Sequence, residues 1–132
     1  MRNTRVLLVV TVLIGAALAC EFSASTARIG NAYTTANPDS GSATTVFAPD
    51  QVFYAIVELK NAPDDTTVKA IWTAVNVEGV EPNFYIAETT LSSGDGTLTF
   101  ELSNDNLWPG GQYKVDLYLN DELDRTLTFE VR

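Results

Sequence analysis

The chain contains no histidine, so carboxylates are the side chains that remain as candidates for acid-base catalysis. Without histidine, the Ser-His-Asp and Cys-His mechanisms and histidine-based zinc sites are excluded. Glu78 and Glu81 stand three residues apart around Gly79, and paired carboxylates act as acid and base in glycosidases when a cleft separates them. Glutamate is mostly exposed in proteins, so we interpret this pair as a solvated acidic loop. The sequence therefore predicts no catalytic site and no enzyme.

Acidic and amide side chains in the predicted loops are the second source of chemistry. They are Asp64, Asp65, Asp95, Asn104, Asp105, Asn106, Asp121, Glu122 and Asp124. Calcium takes six to eight oxygen ligands of this kind, and loops at one end of a fold could pool them. No spacing matches an EF-hand loop, and Asn and Asp are also the residues that build tight turns. We therefore expect turn chemistry and no metal or cofactor, with calcium binding as the alternative.

The only cysteine, Cys20, follows a segment typical of a signal peptide. Arg2 and Arg5 precede the fourteen uncharged residues 6–19, which fall short of the ~20 apolar residues that a membrane-spanning helix needs. Residues 17–20, Ala-Leu-Ala-Cys, resemble the lipobox of bacterial lipoproteins, Leu-(Ala/Ser)-(Gly/Ala)-Cys. A soluble exported protein with a free cysteine is the alternative.

The lipobox resemblance implies that residues 1–19 are removed and that the Cys20 thiol carries a diacylglycerol. It also implies that the new amino group carries a further acyl chain such as palmitate. The protein would then be held at the cell membrane or outer membrane, facing the extracytoplasmic side, with Glu21 favouring the outer membrane of a Gram-negative cell. Without Arg2 and Arg5, six basic residues face 17 acidic ones, a net charge of −11. Such a domain is repelled by anionic lipid and by nucleic acid, so the lipid must supply the attachment to the bilayer.

The remaining chain divides into a short tether and one domain. Residues 20–27 are mostly small and polar, which predicts a flexible tether after the cysteine, and residues 35–46 read as a loop within the domain 28–132. Seven segments of that domain alternate apolar and polar residues between turn signals: 28–34, 52–59, 67–75, 83–90, 97–102, 113–119 and 125–131. Seven such strands predict an all-β, antiparallel two-sheet sandwich.

One segment makes the sandwich more specific. Leu107-Trp-Pro-Gly-Gly-Gln-Tyr113 resembles the tyrosine corner of fibronectin type III and related bacterial immunoglobulin-like domains. The resemblance implies that the Tyr113 hydroxyl bonds to the backbone of its loop and that Leu107 fills the bottom of the core. Trp72, in the middle of a predicted strand, matches the core tryptophan of such sandwiches. The resemblance covers residues 28–132 and concerns the fold alone.

Aromatic side chains outside the predicted core are the candidate interaction residues. Trp108 stands next to the Pro-Gly-Gly turn, and Tyr54 and Tyr118 alternate with core residues; aromatic groups of this kind anchor interfaces and stack on sugars. For Trp108 the sequence favours the alternative that it packs under its own loop beside Leu107. We expect a non-enzymatic, lipid-anchored binding or assembly module at the cell envelope with a protein partner. A glycan- or calcium-binding domain is the alternative.

Overall fold

The computed structural model describes residues 26–132, and the predicted signal peptide and Cys20 lie outside that range. The described chain forms eight β-strands: β1 (Arg28–Thr35), β2 (Val46–Phe47), β3 (Phe53–Lys60), β4 (Thr66–Val77), β5 (Phe84–Ser93), β6 (Gly96–Leu102), β7 (Gly111–Leu119) and β8 (Glu122–Val131). Within residues 26–132 there is no helix of the length and hydrophobicity needed to cross a membrane.

The strands form two sheets that enclose one core. The narrower sheet has the order β1-β3-β6, and the wider sheet has the order β2-β8-β7-β4-β5. Neighbouring strands pair antiparallel except β2 and β8, which pair parallel. The predicted all-β two-sheet sandwich is confirmed. Each of the seven predicted strands is present, with ends that differ by no more than three residues.

The strand count is eight rather than seven because β2 lies at the end of the segment predicted as a loop. Two residues are too few to show an alternating pattern, so only pairing with a neighbour reveals this strand. The Glu130 N–H donates to the Thr45 carbonyl (2.8 Å), and the Arg132 N–H donates to the Phe47 carbonyl (3.1 Å). Phe47 is 1% exposed, so its burial adds to these bonds in holding β2 beside β8.

The core is built from the inward side chains of both sheets, as alternation along a strand requires. Trp72, in the middle of β4, is 1% exposed. Phe53, at the start of β3, lies at the centre of an aromatic cluster, with ring centroids 4.4 Å from Trp108, 4.8 Å from Phe129 and 5.0 Å from Phe47. Aromatic pairs at such distances add to the free energy of area burial, so this cluster contributes strongly to the stability of the core.

The strands run between two ends of the sandwich, which we name the proximal and distal poles. The described chain begins at the proximal pole, where Arg28 pairs with Lys60. The proximal pole also holds the turns at 61–65, 94–95 and 120–121, whereas the distal pole holds the connections 36–45, 48–52, 78–83 and 103–110. The aromatic cluster lies under the distal pole, because Phe53 begins β3 there and Phe129 stands near the end of β8.

Candidate binding site at the distal pole

An apolar cleft opens at the distal pole, between the β4–β5 turn and the loop from β6 to β7. Its volume is about 160 Å³. Nine residues line it, and all but one of them are apolar or aromatic: Ala74, Val77, Val80, Phe84, Ile86, Asn104, Trp108, Pro109 and Tyr113. Ala74, Val77 and Tyr113 are buried and form the floor, while Phe84 is 46% exposed on one wall. Such a surface can accept an apolar group from another molecule.

The cleft is open because the two sheets differ in width. The wider sheet has five strands and the narrower has three, and β5 is an edge strand of the wider sheet with no buried residue along its length. Phe84 pairs with the core residue Ala74, yet it remains exposed, and Ile86 beside it is only half-buried. An edge strand also leaves one row of backbone N–H and C=O groups without a neighbouring strand.

Gly111 brings the first residue of β7 close to the end of β4 beneath the cleft. Its φ is +144°, a conformation that side chains disfavour, and it pairs with Val77. A Cβ at this position would collide with the Asn76 carbonyl oxygen and would lie 2.7 Å from the Val77 Cα. Two residues further on, Tyr113 pairs with Ala74, and the two side chains form part of the cleft floor.

The loop before β7 is held by Tyr113 and Trp108. The Tyr113 hydroxyl donates to the Pro109 carbonyl (2.6 Å), and burial raises the pKa of Tyr113 to about 12. Trp108 is 8% exposed, and its Nε1–H donates to the Gln51 carbonyl (3.0 Å). The expectation that Leu107 fills the bottom of the core is wrong, because Leu107 is 68% exposed and Trp108 takes the inward position. A loop can bury only one of two adjacent side chains when they point in opposite directions.

The candidate interaction residues do not form one site. Trp108 is not an exposed aromatic, since its ring faces Phe53 inside the core, in line with the alternative that it packs under its own loop. Tyr54 is half-buried on the outer side of the narrower sheet, where it pairs with Thr35. Tyr118 is half-buried on the outer side of the wider sheet, with the Lys69 ammonium 4.8 Å above its ring. The two tyrosines therefore lie on opposite faces of the sandwich.

Exposed large apolar side chains concentrate at the distal pole instead. Five of them are more than a third exposed: Val46, Phe84, Tyr85, Leu107 and Leu123. The first four lie in or beside the distal connections, and Leu123 alone lies near the proximal pole, one residue into β8. Phe84 lines the cleft and Leu107 is next to the lining residue Trp108, whereas Val46 lies on β2 at the opposite edge of the wider sheet. Exposed apolar side chains beside an apolar cleft are typical of an interaction surface.

Three carboxylates stand on the two segments that form the cleft walls, and these segments contain no basic residue. Glu78 and Glu81 are exposed on the β4–β5 turn, and Asp105 is exposed next to the lining residue Asn104. Residues 78–83 and 103–110 contain no Lys or Arg. The ion pairs found in the described chain join other residues: Lys114–Asp116, Arg125–Asp124 and Arg132–Glu130. The two wall segments thus carry negative charge only, and we name these three carboxylates the rim acids.

Asp95 and Asn120 bind backbone groups at the proximal turns. The Asp95 carboxylate accepts a hydrogen bond from the Ala62 N–H (2.7 Å), and the Asn120 side-chain oxygen accepts one from the Thr67 N–H (3.0 Å). Asn120 and Asp121 both have positive φ, 47° and 70°, which matches a two-residue type I′ hairpin between β7 and β8. Residues 26–132 contain no group of three or more His, Cys, Asp or Glu side chains arranged to hold a metal ion.

Phe84, Val80 and Ile86 are cleft residues that the sequence analysis did not single out. In the sequence they belong to the turn and the weakest predicted strand, where the alternation is least regular. The irregularity has a structural cause: β5 carries a bulge, so Ile86 has no partner between the pairs Thr73–Tyr85 and Trp72–Ala87. A bulge changes which face of the sheet the residues after it occupy. The alternation of apolar and polar residues therefore does not show which side chains of β5 face the cleft.

Comparisons with known proteins bear on the fold. No protein-family model matches the sequence, and no curated protein matches it. Among solved structures, the chain is similar to an immunoglobulin-like protein from Pseudomonas aeruginosa, with 15% identity and a TM-score of 0.54 over 83% of this chain and 99% of that one. The fold is immunoglobulin-like.

Two larger enzymes contain a similar region. The DNA glycosylase AlkC from Pseudomonas fluorescens, solved with DNA that contains an abasic-site analog, matches with 16% identity and a TM-score of 0.52 over 83% of this chain. A β-glucosidase from intestinal bacteria, involved in saponin metabolism, matches with 17% identity and a TM-score of 0.52 over 82% of this chain. This chain spans 31% of the glycosylase and 16% of the glucosidase, and identities this low concern the fold alone.

Proposed function

We propose that this protein is a non-enzymatic, lipid-anchored module of the cell envelope that binds a protein partner through its distal pole. The acylated Cys20 holds it to the cell membrane or outer membrane, on the extracytoplasmic side. The observation that carries the proposal is the position of the exposed apolar side chains at the pole opposite the start of the domain.

The position at which the tether joins the domain supports binding through the distal pole. Residues 20–27 reach at most about 30 Å when extended, and they join the domain at Arg28 on the proximal pole. The eight residues of β3 separate the poles by about 25 Å, at ~3.4 Å per residue. An anchor at Cys20 is therefore attached at the end of the sandwich opposite the distal cleft and leaves that cleft free to bind.

The chemistry of the cleft supports a binding role rather than catalysis. The lining side chains include one amide and one phenol besides apolar groups, and that phenol, Tyr113, donates to the Pro109 carbonyl. The lining thus offers no nucleophile beside a general base, and the whole sequence has no histidine that could act as that base. The glycan alternative loses its leading residue, because one face of Trp108 is stacked on Phe53.

The anchor is tested by replacing Cys20. We expect Cys20→Ser to abolish incorporation of an alkyne-labelled palmitate and to release the protein from the membrane fraction, since the thiol is the acylation site. Ser23→Ala, three residues away, is the matched control and should keep both label and location. Normal processing and membrane retention of Cys20→Ser would refute the anchor.

The binding pole is tested by photocrosslinking in cells. A photoreactive amino acid at position 84 or 107 should give a discrete protein adduct, because both positions are exposed at the distal pole. The same group at position 123, which is also exposed but lies towards the proximal pole, is the control and should not give that adduct. An adduct of equal yield from all three positions, or from none, would refute a distal binding surface.

A further inference from the structure

We infer that the distal cleft recognises a protein segment in which one medium-sized apolar side chain is flanked by lysine or arginine. This inference rests on the proposed function and names the chemistry of the partner. The size and polarity of the cleft select the apolar side chain, and the rim acids select its basic neighbours.

The cleft has room for one side chain. Its volume is about 160 Å³, and a cavity of roughly 150 Å³ holds a benzene-sized ring. The floor of Ala74, Val77 and Tyr113 consists of buried side chains with apolar surface, so a Leu, Met or Phe side chain would bury its own surface there. Exposed Phe84 on the wall gains burial from the same contact.

The rim supplies charge selectivity. Glu78, Glu81 and Asp105 stand on the two segments that form the cleft walls, and neither segment contains a basic residue. Glu78 is held beside the cleft, because its backbone N–H donates to the Gly110 carbonyl (3.0 Å), next to the lining residue Pro109. A cationic group beside the apolar anchor would therefore meet carboxylates, and an anionic group would be repelled.

A second copy of the domain does not supply such a segment. Three of the six basic residues in the described chain pair with acids, and Lys69 lies over the Tyr118 ring. The remaining two, Arg28 and Lys60, stand opposite each other in the β1–β3 strand register, at the proximal pole. The exposed apolar side chain nearest to that pole, Leu123, stands between Glu122 and Asp124, so its flanks are acidic rather than basic. Nucleic acid is excluded by the charge of the rim.

The chemistry of the cleft can be measured with two small probes that differ in charge. Phenethylammonium and 3-phenylpropionate carry the same ring on a short chain, one as a cation and one as an anion. In an NMR titration of the full chain in non-ionic detergent, we expect the cation to shift the amides of residues 78–84 and 104–111. We expect the cation to bind about tenfold more tightly than the anion. Each exposed charge pair contributes only a modest binding free energy, but the contributions of three rim acids add up.

Variants separate the rim from the overall charge. Glu78→Gln, Glu81→Gln and Asp105→Asn combined should reduce the preference for the cation to within about twofold, since the Coulomb attraction is removed. Asp64→Asn, Asp65→Asn and Asp121→Asn combined change the net charge equally at the proximal pole and should leave the preference intact. Equal binding of both probes, shifts outside the cleft, or equal loss of preference in both triple variants would overturn the inference.

The crosslinking experiment distinguishes this inference from the proposed function. Where an adduct forms at position 84, its yield should fall in the rim variant, and the crosslinked peptide should carry Lys or Arg beside an apolar residue. An adduct that is unaffected by the rim variant and comes from an acidic or uncharged segment refutes the inference and leaves the binding function standing. The absence of any adduct in cells refutes the binding function and, with it, a protein segment as the occupant of the cleft, whatever the preference between the two probes.

Discussion

The indole of Trp108 stacks on the ring of Phe53, with centroids 4.4 Å apart and ring planes at 20°. Trp108 comes from the loop before β7 and Phe53 from the start of β3, so this contact joins the two sheets under the distal pole. The Nε1–H of the indole also donates to the Gln51 carbonyl, two residues before Phe53. One side chain thus closes the core and forms part of the cleft above it.

Removing the indole should therefore cost much more stability than removing its neighbour. We expect Trp108→Ala to lower the free energy of unfolding by about 3–5 kcal/mol, since a large buried aromatic group is lost. Leu107→Ala, the matched control at a residue that is 68% exposed, should stay within about 0.5 kcal/mol of wild type. Urea denaturation measures both, and a larger loss for Leu107→Ala would contradict the assignment of the inward position to Trp108.

Tyr113→Phe tests the hydrogen bond that pins the same loop. The variant keeps the ring and leaves the Pro109 carbonyl without its donor, so we expect a loss of about 1–2 kcal/mol near neutral pH. Tyr118→Phe, which leaves that bond in place, controls for the loss of a phenol. Equal stability of Tyr113→Phe and wild type in chemical denaturation would argue against a structural role for the hydroxyl.

The same hydroxyl makes stability depend on alkaline pH. Burial raises the pKa of Tyr113 to about 12 in the native state, whereas an unfolded tyrosine has a pKa near ~10. The native state then binds the proton more tightly, so its stability is complete below pH ~10 and falls as the pH rises from ~10 to ~12. Denaturation at several pH values should show a steeper fall for wild type than for Tyr113→Phe. Parallel curves would contradict a raised pKa.

Gly111→Ala tests the close approach of β7 to β4. The added Cβ would collide with the Asn76 carbonyl oxygen in addition to straining a φ of +144°, so we expect a loss of more than about 3 kcal/mol. Gly79→Ala is the matched control, because Gly79 has a positive φ of 74° with no atom within 4 Å of the added Cβ. We expect about 1–2 kcal/mol there from backbone strain alone. Thermal denaturation that gives the same loss for both variants would show that the contact carries no cost.

The β7–β8 turn gives a prediction of opposite sign. Asp121 has φ +70° at the second position of the hairpin loop, where glycine is preferred, so Asp121→Gly should leave stability unchanged or raise it by up to about 0.5 kcal/mol. Asp65→Gly, at a position without positive φ, should lower stability by about 0.5–1 kcal/mol through the entropy of the unfolded chain. A clear loss for Asp121→Gly, measured by urea denaturation, would mean that its side chain has a further role.

The strand positions could be predicted from the sequence because alternation is a local property. In β4, Val68, Ala70, Trp72 and Ala74 share one face whatever the neighbouring strands are, and burial of that face follows. The turns were predictable for the same reason, since Asn120 and Asp121 belong to the residue types that adopt positive φ most readily. Lipidation of Cys20 also follows from a local motif, and it stays a prediction because that residue lies outside the described chain.

The cleft could not be predicted in this way, because it depends on which strand lies at an edge and on how wide the opposing sheet is. Phe84 has the same apolar character as Phe53, yet one is 46% exposed and the other 0%. Nor does the order of Leu107 and Trp108 say which one points inward, since that depends on Phe53 being 4.4 Å away across the sandwich. The sequence by itself determined the strands, the turns and the charge; only the tertiary structure decided which apolar side chains lack cover, because cover comes from residues far away in the chain.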